Sequence, residues 1–244
     1  MVELSVILLA LVLLLALTFL RRKASPSTFR VIPALKRLYR VIGLSVEDGT
    51  RLHVSLGRGG LLSGRGGASL AGLAMLRHLT ERTSVSDNPP VATAGDSALA
   101  VLTQDSLKAG YQAANADDLY LPSTGRLSGP TPFSYAAGAM PVVRGENVSA
   151  NVLVGDFGPE VALIAEAAER SSVPTLGGTD DLSAQAVLYA VAEEPLIGEE
   201  LFAAGAYLGA GPAHDASLTV QDILRWLLIL FLLGGAALKV LGVF

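Results

Sequence analysis

The sequence contains no cysteine among its 244 residues. This absence excludes disulfide bonds, zinc sites built from thiolates, and enzymes that use a cysteine nucleophile. Aromatic residues are scarce, at 6% of the chain, whereas glycine occurs 26 times. A chain so rich in small residues is expected to pack its backbone segments closely and to have few bulky side chains in its core.

Each half of the chain has few charges of one sign. Residues 1–82 contain 12 Lys and Arg against 4 Asp and Glu, and residues 83–244 contain 6 against 18. A basic segment followed by an acidic one is typical of a chain held near an anionic bilayer surface. The acidic remainder argues against a nucleic-acid-binding domain, which normally carries a basic face.

The first long hydrophobic run is Leu4–Leu20, which contains no charged residue. As a helix it would extend roughly 25 Å at about 1.5 Å per residue, near the lower limit for crossing a bilayer. A signal peptide has its basic residues before the apolar run, whereas Arg21, Arg22 and Lys23 follow this one. We therefore predict an uncleaved anchor, with the amino terminus outside and the following domain in the cytoplasm.

The second hydrophobic run is Ile223–Phe244, in which the uninterrupted apolar part, Trp226–Leu238, has 13 residues. Because Lys239 can extend its amine to the opposite headgroups, the full run is long enough to span a bilayer. The alternative is a hydrophobic helix packed against the soluble domain. Gly234 and Gly235 would let a partner helix approach, either the first helix or one from a neighbouring subunit.

Residues 29–42 form an amphipathic pattern directly after the first anchor, with apolar residues on one helical face and basic residues on the other. Such a helix either lies on the inner leaflet or forms the first core helix of the domain, with its basic face in solvent. The residues assigned to the membrane surface are Arg21, Arg22, Lys23, Lys36, Arg37 and Arg40.

The predicted organisation is an anchor over residues 1–23, a cytoplasmic domain over 24–217 and a membrane helix over 218–244. Strands and helices alternate in the middle part, which indicates an α/β fold with a mainly parallel sheet and flanking helices. Two hairpins are added, one pairing Val41–Ser45 with Leu52–Leu56 and the other pairing Val142–Arg144 with Val148–Val154. The other strands are predicted at Val91–Ala94, Leu119–Leu121 and Val173–Leu176. The helices are predicted at Ala68–Arg82, Ser97–Asn115, Pro159–Ser171, Leu182–Glu193 and Leu196–Leu208, and Pro122–Pro132 is expected to be a loop.

Three predicted strands run into short polar turns that open helices. In a parallel sheet such turns lie at the carboxyl edge, where ligands bind and helix amino termini attract anions. The candidate ligand-binding residues are Gly95, Asp96, Ser97, Gly155, Asp156, Gly158, Gly177, Gly178, Thr179 and Asp180. The alternative is that these residues only cap helices and ease tight turns.

A glycine-rich stretch, Gly57–Gly67, carries Arg58 and Arg65 and could hold a phosphate. It matches neither the phosphate-binding loop that ends in Gly-Lys-Ser/Thr nor the dinucleotide fingerprint, because Leu62 stands where the third glycine should be. A flexible connector or a subunit contact is the other interpretation. No residue spacing indicates a metal site, and no motif indicates a cofactor.

Two segments, Leu201–Trp226 and Val173–Asp181, resemble an uncharacterised family of prokaryotic membrane-anchored proteins. The resemblance implies no function, because the family has none assigned.

The sequence supports two main functional hypotheses. Because no catalytic set of residues is evident, the first is a membrane-anchored scaffold that forms homo-oligomers or joins membrane complexes through its domain and helices. The second is a membrane-tethered sensor domain that binds a nucleotide or phosphate at the strand ends. An enzyme is the third and weakest hypothesis. The bilayer is the expected partner, and nucleic acid is not.

Overall fold

The computed structural model describes residues 2–21, 30–60 and 66–241 of the chain. Within these ranges the helices are α1 (Val2–Arg21), α2 (Pro33–Glu47), α3 (Gly66–Thr83), α4 (Ser97–Ala113), α5 (Pro132–Gly145), α6 (Val161–Arg170), α7 (Leu182–Val191), α8 (Glu200–Tyr207) and α9 (Pro212–Val240). The strands are β1 (Arg51–Gly57), β2 (Val91–Ala94), β3 (Gly125–Leu127), β4 (Val148–Asp156), β5 (Thr175–Gly178) and β6 (Glu194–Leu196), and short 3-10 turns occupy Asp117–Leu119 and Pro122–Thr124.

The chain divides into two compact units. One contains residues 1–29 and 209–244, in which α1 and α9 pack against each other. Both helices are long and apolar enough to cross a membrane, by length and composition. Their large apolar side chains remain exposed, for example Leu4 at 64% and Phe231 at 78%. Exposed apolar surface on this scale is expected where lipid, rather than water, is the solvent.

The other unit, Arg30–Leu208, is an α/β domain around one parallel sheet. Its six described strands lie in the order β3-β2-β1-β4-β5-β6, and every neighbouring pair is parallel. The predicted α/β fold with a mainly parallel sheet is therefore confirmed. This strand order is the one found in doubly wound dinucleotide-binding folds.

Two apolar cores cover the two faces of the sheet. On one face α2, α3, α4 and α8 pack against alternate residues such as Leu52, Val54 and Leu56 of β1. On the other face α5, α6 and α7 form a second core that includes Leu153 and Phe157. Successive side chains of a strand point to opposite faces, so the alternate residues His53 and Ser55 of β1 face the second core.

Both predicted hairpins are wrong, because their first strands are parts of helices. Val41–Ser45 continues α2, where Ile42 and Ser45 extend the buried face of the helix. Val142–Arg144 belongs to the last turn of α5. Short apolar runs cannot be assigned to helix or strand by periodicity alone.

Other differences lie in segments rich in glycine and proline. The predicted loop Pro122–Pro132 contains β3, and Leu119–Leu121, predicted as a strand, overlaps a 3-10 turn. The predicted helix Leu196–Leu208 is divided into β6 and α8. Pro195 is tolerated in β6 because that strand lies at the edge of the sheet.

Helix α2 matches the second interpretation of the basic segment, a core helix with its basic face outward. Its buried residues include Leu35, Leu38 and Ile42, which belong to the core under the sheet. The outer face carries the exposed Lys36, Arg37 and Arg40. The apolar face is thus already covered by protein. The side chain of Arg21, and all of Arg22 and Lys23, lie outside the described residues.

Candidate functional site

The turns that follow the strands lie at one edge of the sheet because all the strands are parallel. At β1 and β4, which are neighbours, the chain leaves the sheet toward opposite faces: α3 covers one core and α6 the other. This divergence is a topological switch point, where open α/β sheets usually bind their ligands. The turns after β1 and β4 therefore form the candidate site.

The turn after β1 runs between the ends of two neighbouring strands. The carbonyl of Gly57 accepts a hydrogen bond from the Gly95 N–H at 2.8 Å, and the Arg58 N–H donates to the Asp156 carbonyl at 2.8 Å. Gly57 has φ +73°, and an added Cβ would lie 2.0 Å from the Asp156 carbonyl oxygen. Both the left-handed backbone and the lack of space require glycine here.

The glycines that follow differ in their surroundings. An added Cβ on Gly59 would lie 2.6 Å from the Asp156 Cβ, so β4 closes that side of the turn. An added Cβ on Gly60 meets no described atom within 4 Å. Residues 61–65 of the glycine-rich stretch, with Arg65, lie outside the described residues, and α3 begins at Gly66. The turn is therefore closed on the β4 side and open at Gly60 among the described residues.

An ion pair joins the turn after β1 to the turn after β4. The Arg58 Nε donates to the Glu160 Oε1 at 3.0 Å, and the Gly158 N–H donates to the same oxygen at 3.2 Å. The Glu160 side chain is 3% exposed, against 27% for Arg58. A nearly buried carboxylate therefore sits at the switch point, between a guanidinium and a backbone amide.

The hydroxyl of Tyr135, on α5, contacts the ends of β1 and β2 beneath these turns. Its hydroxyl is 2.5 Å from the Ser55 Oγ, accepts from the Gly57 N–H at 3.0 Å, and donates to the Thr93 carbonyl at 3.3 Å. Burial raises the pKa of Tyr135, and the hydrogen bonds from Ser55 and Gly57 only partly oppose that effect. The neutral hydroxyl therefore fixes the start of the turn after β1.

A row of polar side chains crosses four strands inside the sheet. The His53 Nδ1 donates to the Asn151 Oδ1 at 2.8 Å, and its Nε2 accepts from the Thr93 Oγ1 at 2.9 Å. Asn151 in turn donates to the Thr175 Oγ1 at 3.3 Å. Burial lowers the pKa of His53 to about 4, so the ring is neutral near pH 7. Neutral imidazole has one donor and one acceptor, which fits both partners.

The turn after β2 has two roles that the structure defines. The stem of Arg58 and the ring of Tyr135 cover Gly95, at 2.4 and 2.9 Å from an added Cβ. Asp96 is the N-cap of α4, and its Oδ1 accepts from the Leu99 N–H at 3.0 Å. Ser97 is the exposed first residue of that helix. Capping therefore accounts for Asp96, as the alternative interpretation held.

The turn after β4 differs from the predicted one. Gly155 lies inside the strand, where an added Cβ would be 2.0 Å from the Leu56 carbonyl oxygen. Asp156 is the last residue of β4 and does not cap α6, which begins at Val161 rather than Pro159. Gly158 is held beside Glu160. Close strand approach and the ion pair therefore explain both glycines.

The two glycines at the end of β5 pack against apolar side chains. Gly177 and Gly178 lie inside the strand, and their open sides face Leu188 and Leu196 at 2.7 and 3.0 Å from an added Cβ. The Thr179 hydroxyl is buried and accepts from the Phe157 N–H at 3.5 Å. This part of the sheet edge contains packed core rather than a crevice.

The helix after β5 begins at Leu182, as predicted. Asp180 is exposed, and it is Asp181 that caps α7 by accepting from Ser183 and Ala184 N–H groups. No group of three or more His, Cys, Asp or Glu that could hold a metal ion occurs in residues 2–21, 30–60 and 66–241.

The small residues predicted to pack helices lie on a free surface of α9. An added Cβ on Gly234 or Gly235 meets no described atom within 4 Å. The contact between α1 and α9 therefore does not use these two glycines within the described part of the chain.

Sequence reasoning missed the partners that complete the switch point. Glu160 lies at the start of the predicted helix Pro159–Ser171, and no sequence pattern pairs it with Arg58, 102 residues away. Tyr135 lies on a helix that was not predicted. In the structure Thr131 and Ser134 form a capping box at the start of that helix, but the sequence pattern of a capping box has Glu or Gln in place of Ser134, so it gave no signal.

The fold and this edge define the class: a parallel α/β domain with dinucleotide-binding strand order, in a chain with two helices able to span a membrane. The chain belongs to the family described as Domain of unknown function (DUF6754), whose model matches residues 1–244. The resemblance to an uncharacterised family is thereby confirmed. No curated protein and no solved structure matches the chain.

Proposed function

We propose that this chain is a membrane-anchored ligand-binding domain whose ligand, a nucleotide or another phosphate-bearing molecule, binds at the switch point between β1 and β4. The observation that carries the proposal is the turn Gly57–Gly60. It follows β1 at the switch point of a sheet ordered β3-β2-β1-β4-β5-β6 and leads toward α3. In folds with this strand order, the first turn between strand and helix carries the glycines that approach phosphates.

The local chemistry of the turn supports an anionic ligand. Gly60 faces open space among the described residues, whereas Gly57 and Gly59 are buried against β4. Arg58 places a guanidinium at the same point, within reach of both diverging turns. Guanidinium and backbone N–H groups are the donors that proteins use most for phosphate oxygens.

The ligand is expected to contact the segment between β1 and α3 differently from a standard dinucleotide. The stretch between β1 and α3 lacks the third glycine of the dinucleotide fingerprint, since position 62 is leucine. That glycine normally allows close packing of helix on strand. The sequence of this stretch also contains a second arginine, Arg65, so its composition suits a ligand with more exposed phosphate, such as a mononucleotide.

The membrane location of this domain is part of the proposal. Helices α1 and α9 have the length and composition of membrane spans, and basic residues follow α1. Under the positive-inside rule both termini face outward and the α/β domain faces the cytoplasm. A reporter that is active only outside the cytoplasm should be active after Phe244 and silent when inserted at Ser128. The reverse pattern would contradict this orientation.

Self-assembly through the membrane helices is the second candidate, in line with the scaffold hypothesis. The observation that favours it is the open space beside Gly234 and Gly235. Small residues on a lipid-facing surface allow a second helix to approach closely. Gly234→Leu should fold as the parent does and lower the multimer fraction in native mass spectrometry. A parent that is monomeric in several mild detergents would exclude this candidate.

Ligand binding can be tested on the full chain in detergent. A thermal-shift screen of nucleotides, with and without Mg²⁺, should reveal a stabilising ligand, because any molecule that binds only the folded state raises Tm. Arg58→Ala should remove the shift. Arg170→Ala, which removes an exposed arginine on α6 paired with Glu166, is the matched control and should keep it. If no nucleotide raises Tm at millimolar concentration, the proposal fails.

A further inference from the structure

Glu160 is buried in a way that charged side chains rarely are. Its side chain is 3% exposed, whereas the exposed fraction of the other ion-paired carboxylates in the described residues runs from 16% for Glu194 to 66% for Asp222. Burying a carboxylate is costly unless donors replace the water it loses. Glu160 caps nothing, since α6 has no side-chain cap at this position. Its burial therefore requires another explanation.

Two donors converge on one oxygen of this carboxylate. The Arg58 Nε is 3.0 Å away and the Gly158 N–H is 3.2 Å away. Glycine at 158 is what leaves space for the carboxylate, because an added Cβ would lie 2.4 Å from its other oxygen. An arginine and a backbone amide around one anionic oxygen form the arrangement that proteins use for a phosphoryl group.

The carboxylate also occupies the position at which an anionic group of a ligand would bind at the switch point. Arg58 comes from the turn after β1, and Gly158 and Glu160 come from the turn after β4, so the ion pair bridges the two turns of the switch point. An anion binding there would meet the same two donors, which are already occupied.

We propose that the Arg58 guanidinium and the Gly158 N–H form a phosphoryl-binding subsite, which the Glu160 carboxylate fills until a ligand's phosphoryl group replaces it. This inference rests on the proposed function and adds the position and charge of the ligand group. The tethered carboxylate acts as a competitor. The apparent association constant therefore equals the intrinsic one multiplied by the fraction of molecules in which the subsite is open.

The test measures the binding of three probes to the full chain in detergent by calorimetry: inorganic pyrophosphate, ADP and short-chain phosphatidic acid. Glu160→Gln keeps the shape and removes the charge, so affinity should rise about tenfold or more, because a charge-assisted hydrogen bond is roughly twice as strong as a neutral one. The probe with the largest gain distinguishes a soluble phosphate from a lipid headgroup. Glu166→Gln, on the same helix, is the control and should bind as the parent does.

A second variant obstructs the subsite without changing any charge. Gly158→Ala keeps the N–H but places a methyl group in the space that the carboxylate and the phosphoryl group share, so it should weaken binding. The double variant Arg58→Gln with Glu160→Gln leaves no unpaired charge in the site and should lose the gain. Circular dichroism melting checks that each variant is folded.

Two results would overturn the subsite. One is equal affinity of Glu160→Gln, Gly158→Ala and the parent for every probe; the other is a double variant that binds as tightly as Glu160→Gln alone. If a nucleotide still stabilises the parent while these variants change nothing, the proposed function stands and this subsite does not. If no probe binds to any variant and no nucleotide stabilises the parent, both fail.

Discussion

Two parts of one sheet edge carry similar sequence and differ in what surrounds them. At the switch point the glycines lie against backbone and polar side chains: Gly57 against Asp156, and Gly158 against Glu160. At the end of β5 the glycines lie against leucines of α7 and β6. A polar neighbour such as Glu160 can be exchanged for a polar ligand, whereas a leucine core cannot. The same turn residues therefore mark a candidate site in one place and packing in the other.

The largest expected difference between the two parts of the edge appears when a glycine in each is replaced by alanine. Gly57→Ala should lower the free energy of unfolding by roughly 3 kcal/mol, because Cβ would meet a backbone oxygen at 2.0 Å in a left-handed conformation. Gly177→Ala should cost only about 1 kcal/mol, because Cβ would meet the movable end of Leu188 at 2.7 Å. Chemical unfolding of the full chain measures both.

Gly60→Ala is the control for this pair, since its Cβ meets no described atom within 4 Å. It should change the free energy of unfolding by less than about 0.5 kcal/mol, as surface substitutions usually do. Equal losses for Gly57→Ala and Gly60→Ala would contradict the close approach of the turn to β4.

The row of hydrogen-bonded side chains through His53 joins the strands of the switch point to β5. The loss of stability in acid tests whether His53 is held neutral in this row. The pKa of His53 is lowered from 6.5 to about 4 in the folded protein. The unfolded chain therefore binds more protons between these values, and stability is full above pH 6.5 and falls as pH drops toward 4. The loss should reach up to about 3 kcal/mol, at about 1.36 kcal/mol per unit of pKa difference.

Unfolding titrations between pH 7 and 4 measure this slope, and His53→Gln should flatten it. Glu146 also loses stabilising charge in acid, but burial, which raises its pKa, is outweighed by Arg126 and Arg51, so its net pKa is lowered below 4.5. Its contribution is lost at lower pH than that of His53. A slope that is unchanged in His53→Gln would show that the ring is not held neutral by the fold.

The smallest expected effect on stability comes from removing the N-cap of α7, Asp181. Asp181 accepts from two N–H groups at the start of α7, so Asp181→Ala should lower the free energy of unfolding by about 1 kcal/mol. Asp181→Asn keeps the acceptor and should lower the free energy of unfolding by only about a few tenths of a kcal/mol. Thermal unfolding of the two variants measures the difference. Equal losses would mean that charge, rather than the hydrogen bonds of the cap, stabilises this end of the helix.

The sequence predicted best where local chemistry and the final structure agree. β2 has the bounds that were predicted, Val91–Ala94, and α4 begins at Ser97 because Asp96 is a good N-cap. α5 was missed because glycines and prolines before it and an internal proline at 141 argue against helix. β3 was missed because three residues of a Gly-Ser-Pro segment have no strand period of their own, and only pairing with β2 orders them.

The candidate site could be predicted only in its parts. The turns at 95–97 and 155–158 were assigned to one edge because parallel strands end together. Their roles could not be assigned, because Arg58 and Glu160 are far apart in the chain and meet only through the pairing of β1 with β4.

By itself, the sequence determined what depends on near neighbours along the chain: the two apolar helices, the alternation of strand and helix, the caps and the glycine-rich turn. Only the tertiary structure decided the strand order, and with it the switch point between β1 and β4. It also decided that leucines fill one group of glycine turns and that a buried carboxylate fills another. The physical reason is that capping and amphipathicity act over a few residues, whereas sheet order and burial depend on contacts between residues about a hundred positions apart.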